Sequence, residues 1–103
     1  MNAKMKQGQF EVIDSFALRR RNEFYLIGQQ IEGTVQERWF INVPLSKSLS
    51  LSVRIKAVED IEISSEIRKY KLLIVSGDNE TIDLLLGLKI GSELLDITIE
   101  GED

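Results

Sequence analysis

Residues 46–57, SKSLSLSVRIKA, alternate without a break: Leu49, Leu51, Val53, Ile55 and Ala57 fall on one side, and Ser48, Ser50, Ser52, Arg54 and Lys56 on the other. A helix turns 100° per residue and cannot gather such a set on one face, whereas a strand does so by construction. The segment therefore predicts a long strand with one dry side, continuing through Val58 to Ile63 after a break at Glu59-Asp60. Upstream, FYLIGQQIEGTVQERWFINV (residues 24–43) carries two apolar runs, Phe24–Ile31 and Trp39–Val43, rich in aromatic and β-branched residues. That composition suits strands packed on a core, here two neighbours turning near Gly33. Gly28 marks a bulge or sharp bend within the first run, and Pro44 ends the second because proline has no N–H for a ladder.

Working outward, residues 1–8 read as a flexible N-terminal tail and residues 100–103 as an acidic C-terminal one. Phe10, Val12, Phe16 and Leu18 share a parity that predicts a first strand with one buried face, kinked near Asp14-Ser15, with Ile13 on the other face. Arg19–Glu23 is a polar loop with Asn22 as its turn residue. Ser64-Ser65-Glu66 offers one helical turn, and Tyr70–Val75 a buried strand closed by Ser76-Gly77-Asp78-Asn79. Thr81–Leu88 reads as a strand pairing with Tyr70–Val75; the alternative is a short helix capped by Asn79 and stopped at Gly87. Gly91-Ser92 turns the chain into a last strand, Leu94–Ile99. Six or seven strands with short connections and no internal repeat predict one all-β domain, residues 9–99. A small antiparallel barrel is favoured because closure removes exposed edges, and a two-sheet sandwich is the alternative.

Composition excludes much chemistry. A chain of 103 residues holds one core, and 43 % apolar with 29 % charged residues belongs to a folded domain. No cysteine and no histidine are present, so disulfides, thiolate metal sites and imidazole acid–base catalysis are absent. No apolar run approaches the roughly 20 residues of a membrane span, and the polar MNAKMKQGQ start lacks the apolar stretch of a signal peptide, so a cytoplasmic protein without a membrane role is expected. The Asn79-Glu80-Thr81 sequon is then accidental. Residues 1–47 carry seven Lys/Arg against five Asp/Glu, and residues 48–103 six against twelve, giving +2 and −6 and a net charge of −4. Polyphosphate is repelled on average, so RNA binding demands a local basic patch.

Such a patch has one candidate. Arg19, Arg20 and Arg21 form the densest cationic run, and Tyr25, Arg38 and Trp39 are placed near the same barrel end. Arginines beside exposed aromatics suit RNA phosphates and bases. The plainer and favoured alternative is a solvated loop, its arginines paired with Glu23 and Glu37 and Trp39 buried. Ser46-Lys47-Ser48 invites a serine–lysine nucleophile, yet a wet strand face accounts for it. Asp78, Asn79, Glu80 and Asp83 supply oxygen ligands but not at a calcium-loop spacing, and Glu59-Asp60 is a carboxylate pair with no cleft in view. No catalytic, cofactor or metal residue is therefore assigned.

Ile13-Asp14-Ser15-Phe16, Leu26-Ile27-Gly28, Ile31-Glu32-Gly33-Thr34-Val35, Val53-Arg54-Ile55, Lys71-Leu72-Leu73-Ile74 and Leu88–Leu95 follow one another in an order that resembles the second, β-barrel domain of elongation factor Tu and related translational GTPases. The likeness runs from Phe10 to Ile97. The chain departs from that pattern at Arg19–Glu23, at Arg38-Trp39 and in an apparent insertion over residues 76–86, and it contains no Gly-x4-Gly-Lys-Ser/Thr phosphate loop. The resemblance implies a stand-alone translation-factor-type barrel that binds no nucleotide. In that family the barrel contacts ribosomal RNA, tRNA ends or a neighbouring domain. The expectation is a non-catalytic binding or adaptor barrel working through a protein or RNA partner, or alternatively an oligomeric or accessory structural subunit.

Overall fold

The computed structural model describes residues 6–62 and 69–99. Its elements are β1 (Lys6–Leu18), a 3-10 turn (Arg19–Arg21), β2 (Glu23–Gly33), β3 (Phe40–Pro44), β4 (Ser50–Ile61), β5 (Tyr70–Ser76), α1 (Asn79–Gly87) and β6 (Leu94–Thr98). The six strands close into an antiparallel barrel in the order β1-β2-β5-β4-β3-β6. Closure by β6, paired on one side with β1 and on the other with β3, rules out two separate sheets. It also corrects one expectation. β2 and β3 follow each other in sequence but are not neighbours, because β2 pairs with β1 and β5. Gly33, at φ 68°, leads into a crossing segment and not into a hairpin.

Inside, Phe10, Val12, Phe24, Leu26, Ile41, Ile55, Leu73, Val75 and Ile97 form one dry cluster. On β2 the burial alternates, Phe24 and Leu26 inward and Tyr25 and Ile27 half-buried outside, so this strand is not covered equally on both faces.

Two bulges reset the parity that the sequence suggests. In β1 the register with β2 shifts between Val12 and Asp14. The extra residue rotates everything beyond it, so Phe16, expected on the buried face, is 45 % exposed, and Ala17 packs against the core instead. The bulge also carries Ser15 to the carbonyl of Ile90, to which its hydroxyl donates at 2.5 Å. In β4 the register with β5 shifts between Ile55 and Ala57. Val58 then packs on the core while Ala57 turns outward, and the strand runs unbroken through Glu59-Asp60 to Ile61. Gly28 stands opposite the β1 bulge, where a Cβ would run into the Glu11 carbonyl and the Phe10 ring. The bulge therefore lies in the strand facing the glycine.

Other boundaries move as well. β1 begins at Lys6, which pairs with Thr98, so Lys6–Gly8 belong to the barrel. β4 begins at Ser50, because the Leu45 and Ser46 amides both donate to the Leu49 carbonyl in a tight turn that leaves Leu49 60 % exposed. The suggested helical turn at Ser64-Ser65-Glu66 lies outside the described residues.

Residues 79–87 form a helix, not the strand expected over Thr81–Leu88. Asp78, not Asn79, is the cap: its carboxylate accepts from the Thr81 amide at 2.8 Å. Ile82 and Leu85, three apart, then lie on one helical face and join the barrel core. The helix coincides with the residues set apart as an insertion in the translation-factor comparison, and its apolar face is packed against the interior.

Candidate functional site

The site begins with a polar residue in an apolar place. Glu23 opens β2 on the outer side of the barrel, yet its side chain is only 4 % exposed. Lys56, on β4, reaches over the intervening β5 and donates from Nζ to Glu23 Oε2 at 2.5 Å. The Tyr25 hydroxyl donates to Glu23 Oε1 at 2.6 Å, and Arg21 Nε stands 3.6 Å from the same oxygen. A carboxylate removed from water is stable only with such partners. The Lys56 bond, followed by that from Tyr25, holds the Glu23 carboxyl below its ordinary pKa against the opposing effect of burial. The same hydrogen bond to Glu23 raises the Tyr25 phenol.

Around this cluster lies an open depression of about 410 Å³. Arg21, Glu23, Lys56 and Glu59 supply its charge, and Ala57, Leu72 and Ile74 its apolar floor. Tyr25 forms one wall and stacks on Phe16 across the β1–β2 ladder, with ring centroids 4.9 Å apart and planes within 6°. Offset stacking of this kind fixes both rings in place. The result is a rigid aromatic step on the outside of a barrel.

The arginine run divides. Arg21 joins the Glu23 cluster, whereas Arg19 Nη2 pairs with Asp83 Oδ1 on α1 at 2.7 Å, and Arg20 is exposed in the 3-10 turn. The sequence therefore places Arg21 and Tyr25 together correctly, while Arg38 and Trp39 do not line this depression. Arg38, at φ 75°, donates its amide to the Ile55 carbonyl, and Trp39 packs half-buried against the core. Trp39 is thus a packing residue at the β2–β3 crossing. Glu23 was legible only as an arginine partner. Lys56, Ala57, Leu72 and Ile74 were not legible as a site, because strand order alone brings β4 and β5 beside β2.

The remaining candidates are occupied by structure. Asp78 caps α1, Asp83 holds Arg19, and Asp60 Oδ1 accepts from Lys71 Nζ at 2.7 Å. Ser46, Lys47 and Ser48 lie exposed in the turn before β4. Among the described residues no three acidic side chains converge as a metal site would require, and no helix is long and apolar enough to cross a membrane. No protein-family model, curated protein or solved structure matches the chain.

Proposed function

We propose that the protein is a non-catalytic binding or adaptor barrel of the translation-factor type, working in the cytoplasm through a protein partner that docks on the outer wall at Phe16 and Tyr25. The observation that carries this reading is the stacked Phe16–Tyr25 pair, with Phe16 45 % exposed, standing beside an open depression floored by apolar side chains. Rigid aromatics over an apolar floor are the usual anchors of protein interfaces. The site's ionic groups favour protein over RNA as the partner. Glu23 offsets one of the two charges of Arg21 and Lys56, and Arg19 is held by Asp83, so far less cationic charge is left for phosphates than the arginine run suggests. The closed six-stranded barrel supports the fold implied by the family resemblance.

Site-specific crosslinking tests the reading. A photoreactive residue at position 16 captures a protein, and one at position 49, exposed in the turn before β4, does not. RNA titrated at two salt concentrations binds the Arg19→Ala/Arg20→Ala/Arg21→Ala variant no differently from the parent. Salt-sensitive RNA binding that this variant abolishes defeats the protein reading.

A further inference from the structure

We infer that the partner fitting the outer wall is a second copy of this chain, docked face to face about a two-fold axis. This rests on the proposal that the wall is the interaction surface, and it follows from how register distributes apolar and charged side chains there. Phe16 pairs with Tyr25, Tyr25 with Ile74, and Ile74 with Ala57, forming one apolar row across β1, β2, β5 and β4. The next row on the same face reads Asp14, Ile27, Leu72, Glu59. Its middle is apolar and half-buried, and its two ends are exposed carboxylates. On the other side of the apolar band stand Arg21 and Lys56, two cations sharing the one carboxylate of Glu23. The wall is therefore a hydrophobic band with a cationic edge and an anionic edge.

A two-fold axis lying in the interface and running along that band turns each edge onto its opposite in the second copy. The Arg21–Lys56 edge of one protomer then faces the Asp14–Glu59 edge of its partner, and the two apolar bands stack as sheets do in a sandwich. A polyanion meets Asp14 and Glu59 on the same surface and is repelled. The net charge of −4 on each copy opposes association only weakly, since ions screen separated charges beyond about 8 Å at physiological salt.

Sedimentation equilibrium over a range of concentrations tests this, with the fold of each variant checked by circular dichroism. The parent chain is expected to be a dimer and Phe16→Glu a monomer. Arg21→Glu and Glu59→Arg are each expected to weaken self-association about tenfold or more. Mixing Arg21→Glu with Asp14→Arg in equal amounts restores a dimer, because the two-fold along the band sets the β1 end of one copy against the β1 end of the other, where Arg21 faces Asp14. If Arg21→Glu does not fold, Phe16→Glu and Glu59→Arg decide the matter. A parent chain that stays monomeric to about 1 mM overturns the inference. A dimer indifferent to Phe16→Glu and Glu59→Arg also overturns it. A different protein captured from position 16 by a monomeric chain leaves the broader proposal standing while removing the second copy.

Discussion

Lys56 Nζ lies 2.5 Å from Glu23 Oε2, although the two residues sit on strands separated by β5. Their bond crosses the outer wall and sets the electrostatics of the site.

Its pH dependence has a definite sign. The folded Glu23 carboxyl titrates below its ordinary value, so the stability it contributes is fully present above the ordinary carboxylate range. That contribution is lost as pH falls through the lowered folded pKa. Glu23→Gln is therefore expected to melt below the parent at neutral pH, and the gap to close as the medium is acidified. A gap constant with pH contradicts the assignment. The same variant returns the Tyr25 phenol toward its ordinary range in an ultraviolet titration, since the bond to Glu23 is the largest cause of its rise.

Core and surface leucines separate cleanly. Leu26, fully buried between the strands, is expected to cost about 2–5 kcal/mol when changed to Ala. Leu49, exposed in the turn before β4, is expected to change stability by no more than about 0.5 kcal/mol. Denaturant unfolding of the two variants checks the contrast.

Glycine positions give opposite signs. Gly28→Ala forces a methyl against the Glu11 carbonyl and the Phe10 ring and is expected to destabilise by about 1–3 kcal/mol. Gly87 ends α1 with open space around its Cα, so Gly87→Ala is expected to stabilise by about 0.4–1 kcal/mol. Equal thermal shifts for the two contradict the close approach at the β1 bulge.

The α1 cap is testable by hydrogen exchange. Asp78→Ala removes the acceptor of the Thr81 amide, and the first-turn amides of α1 are expected to exchange faster, with the β-strand amides little changed. Asp78→Asn keeps an acceptor and most of the protection. In the parent, the Thr81 hydrogen bonds hold the Asp78 carboxyl below its usual range, so protection of that turn is expected to fade in acid.

The amino-acid sequence by itself determined that this is an all-β domain. Alternation through Leu51, Val53 and Ile55, the apolar run at Tyr70–Val75 and the punctuation at Pro44 and Gly77 are local signals, and a strand's period of two is a local property. Local signals also show Arg21 and Tyr25 close together, because both flank one short turn. Tertiary structure decided the rest. Whether Phe16 faces in or out depends on one extra residue in β1, which is defined only against the register of β2. Helix or strand at residues 79–87 turned on the barrel core, which Ile82 and Leu85 join from one face of the helix. The site itself belongs to this second class. Lys56 meets Glu23 only because the barrel closes with β5 between β2 and β4, and pairing between distant segments leaves no mark in the spacing of residues along the chain.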